Sequence, residues 1–422
     1  MDKNRFVAVV LLVVIVLGVG GYVTYRYIKE KPPTFLIELL TKTKPPPPLP
    51  PGNGAPLTVP DGFTATIFSR DLPNARVMIR DQKGTMLVTE TNESPNGKVV
   101  ALPDLNGDGK ADKKVTVLDG LNQPHGIAVL CPDTGNASAD QDSCLLYVAE
   151  TGSLKSYSYD ADTMTATNPK ELTPFPTGAG HFTRTIIPSA DMKSLFVSIG
   201  SDCNVCNEAN PLRATIQNFD LTTNTLTTFA TGLRNSVFMA FNPVDGELWA
   251  TDNGRDMLGD DIPPDELNII KQGDDYGWPV CYGQNIHDTD FDNKGYFVDP
   301  CRDKIPPHIE LPAHSAPLGL AFVPEEGWPD GWGNDVLVAF HGSWNRSIPT
   351  GYKVVRIDLD TDGNRVGEIQ DFVTGFLPAG ARDTDRAIGR PVGLMAEPGG
   401  VLYISDDRAG AIYRIALKEP PR

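Results

Sequence analysis

The sequence predicts an all-β fold, a six-bladed β-propeller carried behind one N-terminal transmembrane helix and a Pro-rich linker. Three observations lead there. One short apolar strand, ending in small or acidic residues, recurs six times along the chain. The 422 residues contain 40 Gly and 37 Pro with no long charge-rich helical run, which favours short strands joined by turns. Residues 6–25 form an uncharged apolar run of their own. With 37 Lys+Arg against 54 Asp+Glu the net charge is −17, so the basic footprint of a nucleic-acid binder is missing. Hydrophobic residues at 40% suffice for a packed core and exclude a globally disordered chain.

The N-terminal run, FVAVVLLVVIVLGVGGYVTY, follows Lys3 and Arg5. Twenty residues at about 1.5 Å rise span a hydrocarbon core of about 30 Å. Residues 1–30 therefore read as a membrane anchor or signal-anchor; a cleaved signal peptide is the alternative, against which stand the length of the run and the lack of an A-x-A site. Charge does not orient the span, since Arg26, Lys29 and Lys31 balance the N-terminal pair. Residues 31–60 form the linker, and its TKTKPPPPLPPGNGAPLTVP stretch predicts an extended spacer. Six cysteines fall into three sequence-local pairs, 131–144, 203–206 and 281–301. That is one of 15 pairings and suits disulfides in an oxidising compartment, hence a domain on the periplasmic or extracellular side. Zinc at Cys203-x-x-Cys206 lacks a second metal pair, and covalent haem lacks a histidine after Cys206, where Asn207 stands.

The propeller is placed at 61–418. The repeated strand reads MLVTETN (86–92), LYVAETG (146–152), LFVSIGS (195–201), LWATDNG (248–254), VLVAFHG (336–342) and LYISDDR (402–408). Its central residues, Val88, Val148, Val197, Ala250, Val338 and Ile404, are spaced by 60, 49, 53, 88 and 66. A second strand precedes each: VMIRD (77–81), HGIAVL (125–130), RTIIPS (184–189), VFMAFNP (237–243), LGLAFVP (318–324) and VGLMAEP (392–398). Such units are propeller blades, whereas two stacked sandwiches would not repeat one motif in one phase. The long spacing predicts an insertion at roughly 255–315. GFTATIFS (62–69) is placed to close the last blade.

Loop ends at one phase of a propeller converge on one face. NQPHG (122–126), GHFTR (180–184), GLRNS (232–236), HSAPLG (314–319) and GRPVG (389–393) share that phase. They predict a polar funnel of His125, His181, Arg184, Arg234, Asn235, His314 and Arg390, with His341 nearby, suited to an anionic or carbonyl-rich ligand. DLNGDGKAD (104–112) reads either as a calcium loop or as an Asx-rich hairpin, Val115 replacing the bidentate Glu. The acidic run DMLGDDIPPDE (256–266) reads as a solvated loop or a cation site.

GLRN (232–235), DNGR (252–255), DELN (265–268) and YGWP (276–279), in that order, resemble the soluble quinoprotein glucose and sorbosone dehydrogenases. GHFTRT (180–185), HGSWNR (341–346) and GYKVVRID (351–358) are more similar to the sorbosone- and pyranose-dehydrogenase branch. The resemblance covers roughly 61–417 and implies a six-bladed propeller carrying pyrroloquinoline quinone (PQQ) and calcium. It implies His181 as general base, Arg234 as the group polarising the quinone carbonyl and Asn235 beside the cofactor. It implies His314 on the cofactor side and Arg390 on a cofactor carboxylate. The carbonyls of Gly254 and Arg255 would hold the cofactor calcium, and Glu266 and Tyr276 a second, structural one. Three departures stand out. The aspartate that orients the base aligns with Ser201, which leaves Asp202, one position on, as the candidate. The family's cofactor lysine has no counterpart, so His341 or Arg346 would serve. Its glutamine falls near Gln123 but out of register.

The chemistry agrees with the resemblance. Removing hydride from a carbon that bears a hydroxyl needs a base near neutral pKa, and positive charge where the quinone oxygen gains electrons. The expected activity is PQQ-dependent oxidation of a sugar or sugar aldehyde, with electrons passed to an external cytochrome or quinone. The alternatives are a calcium-dependent propeller lactonase and a non-catalytic binding propeller.

Overall fold

The computed structural model describes residues 45–132 and 144–418. Six four-stranded antiparallel sheets follow one another along the chain. Blade one is Ala75–Arg80, Met86–Glu90, Gly97–Leu102 and Val115–Leu121; blade two is Gly126–Leu130, Cys144–Glu150, Ser153–Asp160 and Thr165–Pro174. Blade three is Ile186–Pro188, Ser194–Ile199, Thr215–Asp220 and Thr225–Thr231; blade four is Ser236–Phe241, Leu248–Asp252, Asp265–Ile270 and Ile309–Leu311. Blade five is Pro317–Phe322, Val336–Phe340, Lys353–Ile357 and Gln370–Val373. Blade six, Pro391–Glu397, Val401–Asp406 and Ala411–Leu417, takes its outer strand from the start of the domain, Phe63–Ser69. Phe63 pairs with Leu417 and Ile67 with Tyr413, so the ring closes with the segment read for that purpose. Among the described residues the only helical segment is the 3-10 turn Thr384–Arg386.

The first strand of each blade lies innermost, and these strands pack backbone to backbone. Gly126 donates its N–H to Arg184 O of the next blade at 2.9 Å. A Cβ on Gly319 would stand 2.4 Å from Val392 O, and one on Gly393 2.4 Å from Arg76 O. Only glycine permits that approach. Hydroxyls stitch neighbouring blades as well: Thr251 Oγ1 donates to Leu318 O at 2.8 Å and Ser405 Oγ to Arg76 O at 2.6 Å. Between the blades lie apolar layers, among them Leu146, Val148, Trp249, Val338 and Val355 in one cluster.

Two boundaries differ from the sequence reading. The expected insertion at 255–315 is two segments, because DELNII pairs with LWATD (Thr251 opposite Leu267) as the third strand of blade four. A connection at 253–264 precedes that strand and an excursion at 271–308 follows it, with a hairpin of Cys281–Tyr282 and Ile286–His287. The spacer, expected to run to residue 60, is docked from about residue 50. Thr58 exchanges both backbone hydrogen bonds with Thr374 at 2.9 Å, and Ala55, Leu57 and Val59 pack on the core of blades five and six. The apolar run at 6–25 lies outside the described residues; among the described residues no helix is long and apolar enough to cross a membrane. Disulfides join Cys131–Cys144, Cys203–Cys206 and Cys281–Cys301, the sequence-local pairing.

Candidate active site

The acidic residue closing the second strand of a blade has a structural task. Asp252 accepts the N–H of Arg234 at 2.9 Å and that of Asn235 at 2.5 Å, clamping the GLRN turn. Asp406 accepts Arg390 N–H at 2.9 Å, and Glu150 accepts Asn122 N–H at 2.6 Å. Gly232, at φ 72°, is required in the GLRN turn because a Cβ there would sit 2.3 Å from Asp275 Oδ1. Leu233 is buried, which fixes the turn and sends Arg234 and Asn235 toward the axis.

There a cavity of about 150 Å³ opens, lined among others by His181, Arg234, Asn235, Gly254, His314 and Asn345. His181 Nδ1 lies 3.0 Å from Ser201 O and 3.1 Å from Ser201 Oγ. A carbonyl only accepts, so Nδ1 carries the proton and Nε2 is left as a bare acceptor. Burial, with Arg234 next, pushes the imidazole pKa down to about 3, which keeps the ring neutral. Arg234 spends all five N–H groups: Nε and Nη2 on Asn204 O and Oδ1, Nη1 on the carbonyls of Asn253 and Gly254, and Nη2 also on Asp256. It is thus a fixed positive charge at the cavity wall. His314, left-handed at φ 61°, donates Nε2–H to Gly259 O at 2.8 Å and faces Asn345 through Nδ1.

Several expected residues lie elsewhere or do other work. Asp202 does not orient His181; Ser201, one residue earlier, meets the ring, and Asp202 offers its N–H to Glu208 at 2.8 Å. His125 is wholly buried against Thr185 and Phe238, its pKa driven well down by burial and then Arg76, so it braces the blade interface. Arg184, also fully buried, donates to the carbonyls of His181, Thr183 and Pro176. Arg346 is tied to Asp260 O, Ala313 O and Asp261, so it does not replace the missing lysine. Gln123, at φ 49°, accepts from Thr151 Oγ1 at 3.1 Å. His341 donates Nε2–H to Asp407 at 2.9 Å, and burial followed by Arg390 lowers its pKa to about 4. Arg390 donates to the carbonyls of His341 and Gly342, one residue behind the cavity wall, and covers Tyr352.

Glu266 and Tyr276 do come together, on a second cavity of about 20 Å³ shared with Asp252, Arg255 and Asp288. That is room for one water or ion. The Tyr276 hydroxyl is committed, accepting Lys271 N–H and donating to Ile269 O, and the Arg255 guanidinium pairs with Asp288 and Asp290. Burial pushes the carboxyls of Asp252, Asp265 and Glu266 up, as expected of acids held together away from water. In the 104–112 loop Asp104 accepts N–H groups of Gly107, Asp108 and Gly109, an Asx-rich hairpin.

Four contributors escaped the sequence reading as site residues. Arg76 sits at the loop-end phase of blade one, 3.6 Å from Asp407, and the repeat phase applied to LPNARVM would have found it. Burial alone would raise the Asp407 carboxyl, but His341, Arg76 and Arg390 outweigh it and hold the pKa well below the usual range. Asp256 and Asp265, the first and the last-but-one residue of the acidic run, both line the cavity, so the run is not wholly a solvated loop. Asn204 was hidden inside a CxxC motif.

The fold and this axial site define a six-bladed propeller of the quinoprotein-dehydrogenase type. The chain belongs to the TrAA12-like family, whose profile matches residues 57–418. It is 37% identical over 238 residues to an uncharacterized protein of Borreliella burgdorferi, covering 56% of this chain and 60% of that one. It is 28% identical over 427 aligned positions to the pyrroloquinoline quinone-dependent pyranose dehydrogenase of Coprinopsis cinerea, covering 86% of this chain and 55% of the relative. The chain thus spans little more than half the length of those two relatives. The calcium structure of the Trichoderma reesei family AA12 enzyme superposes with a TM-score of 0.71 at 24% identity, over 86% of this chain and 97% of that one.

Proposed function

We propose that the protein is a PQQ-dependent, calcium-assisted dehydrogenase of a pyranose or related sugar, the oxidised carbon bearing a hydroxyl. The observation that carries this reading is His181: neutral, its Nδ1–H fixed by Ser201, its Nε2 free, on one cavity wall with a fully anchored arginine. The donor chemistry fits the cofactor. Asn235 Oδ1, Asn253 Oδ1 and Asn345 Oδ1 are buried without a protein partner, as in a site built for a polar ligand. The carbonyls of Asn253 and Gly254 and the Asp256 carboxylate are hard oxygens of the kind a calcium ion takes, and here all three are held by the Arg234 guanidinium.

When bound, PQQ supplies the two-electron acceptor for the hydride leaving the sugar carbon. Nε2 of His181 takes the hydroxyl proton as that hydride departs. Arg234 holds positive charge where negative charge develops and needs no rearrangement to do so. Asn235 and His314 orient the ring of the ligand between them. An aldehyde substrate of the sorbosone kind fits the same base through its hydrate. Electrons then pass to an external cytochrome or quinone. The three disulfides support a periplasmic or extracellular setting, and residues 6–25 an anchor in the membrane.

The test is dye-linked oxidation by protein loaded with PQQ and calcium, across aldopyranoses and 2-keto aldehydes. Turnover that requires both additions supports the proposal. No turnover on any of them, with PQQ bound, contradicts it.

A further inference from the structure

Arg234 does not hold its own position. Three of its five hydrogen bonds go to atoms outside the 253–256 segment or to residues that Asn204 itself fixes. Nε donates to Asn204 O at 2.9 Å and Nη2 to Asn204 Oδ1 at 3.0 Å. The same Asn204 Oδ1 accepts Asp256 N–H at 2.7 Å, and Asn204 Nδ2 donates to Asp256 O at 3.0 Å. Asp256 in turn meets the guanidinium at 3.2 Å and Asn345 at 2.7 Å. One amide therefore joins the arginine to the cavity loop by both its backbone and its side chain.

Asn204 lies in the two-residue loop that the Cys203–Cys206 disulfide closes. Both sulfurs are buried and Val205 is packed inside. The segment that leads from the strand Ser194–Ile199 into this loop carries Ser201, whose Oγ donates to Cys203 O at 2.7 Å while its carbonyl receives His181 Nδ1–H. The base and the arginine thus hang from one cross-linked segment, 201–206.

We infer that Asn204, clamped by the Cys203–Cys206 disulfide, is a positioning residue for Arg234. Its amide and carbonyl set the height of the guanidinium at the cavity wall, and the disulfide fixes the backbone from which both reach. The inference rests on the reading of Arg234 as the charge facing the reacting centre. Its physical content is independent of that reading, since it concerns where the guanidinium sits.

The experiment uses Asn204→Ala, Asn204→Asp and the double variant Cys203→Ser/Cys206→Ser in the full chain, each checked for its melting temperature. The first readout is the rate at which phenylglyoxal labels Arg234, followed by peptide mass spectrometry without cofactor. Freed N–H groups and a mobile guanidinium raise that rate severalfold in Asn204→Ala and in the double variant. Asn204→Asp keeps the Oδ1 acceptor for Arg234 but loses the Nδ2 donor to Asp256 O, so its labelling rate falls between wild type and Asn204→Ala. The second readout is the loaded enzyme, where Asn204→Ala lowers kcat by about 10- to 10²-fold with little change in sugar KM, as expected of a misplaced charge. Asn204→Asp, which keeps the acceptor for Arg234 but not the donor to Asp256, recovers part of it. Unchanged labelling in both Asn204→Ala and the double variant overturns the inference, whatever the activity. A loss of melting temperature with labelling unchanged assigns the loop a purely structural part and also overturns it. A wild type that never turns over sugar contradicts the proposed function alone, and the labelling still decides the placement of Arg234.

Discussion

His181 carries the most direct consequence at the scale of single residues. Its replacement in His181→Asn removes the proton acceptor and is predicted to lower kcat by about 10²- to 10⁴-fold, with PQQ affinity retained because no other cavity residue is touched. Stopped-flow reduction of the bound cofactor against equilibrium titration checks both halves. The pH behaviour has a definite sign. The folded imidazole, pushed down to about 3, holds fewer protons than the unfolded one near 6.5. Its neutral form therefore favours folding fully above 6.5, and that contribution is lost as pH falls from there toward 3. Melting curves should show the wild type losing more stability than His181→Asn between pH 6.5 and 4. Equal losses would mean the ring is not desolvated.

What the sequence revealed at this scale was uneven. Loop-end phase put His181, Arg234, Asn235 and His314 on one cavity, yet it put His125 and Arg184 there too, and both are buried braces. Phase identifies a position on the ring but not which way the side chain leaves the backbone. That depends on local turns such as the left-handed His314 and Ala316, at φ 61° and 54°. Asp202 failed for the same reason, since a one-residue step reverses a side chain's direction along an extended segment.

At the scale of elements, the strand-ending acids Glu150, Asp252 and Asp406 act as clamps for the loop that precedes the first strand of their own blade. LWATD and LYISD read as strands because a short apolar run ending in small or acidic residues recurs in phase, while their terminal Asp252 and Asp406 hold backbone N–H groups that no local pattern advertises. The 271–308 excursion is held by one covalent link across a sequence separation of 20. Cys281→Ser/Cys301→Ser is predicted to cost about 3 kcal/mol in a chain-entropy account of a loop that size, read as a shifted urea midpoint with an unchanged slope. A shift below a few tenths would show that packing alone orders the excursion. Its third-strand neighbour was hidden in the sequence because DELNII sits between two connections, so spacing alone merged all three into one insertion.

At the scale of the whole molecule, closure decides foldability. The outer strand of blade six comes from Phe63–Ser69, and Phe63 stacks at 5.6 Å on Trp332 and meets Phe372 at 5.2 Å. A chain beginning at residue 50 should melt cooperatively, whereas one beginning at residue 71 leaves a bare sheet edge and that aromatic cluster open. Calorimetry of the two chains checks this, and two equal transitions would contradict it. The ring itself was legible because one motif recurs in phase and because glycine marks the tight inner contacts, as at Gly126, Gly319 and Gly393. The docking of residues 50–59 was not, since a Pro-rich composition reads as a free spacer until a partner strand is known.

The most direct test of the account is cofactor-dependent sugar oxidation by the wild type and His181→Asn side by side, each saturated with PQQ and calcium. The account predicts that both bind the cofactor, that an aldopyranose reduces it rapidly only in the wild type, and that omitting calcium abolishes turnover. Bound PQQ that no sugar reduces, or calcium-dependent lactone hydrolysis without PQQ, would contradict it.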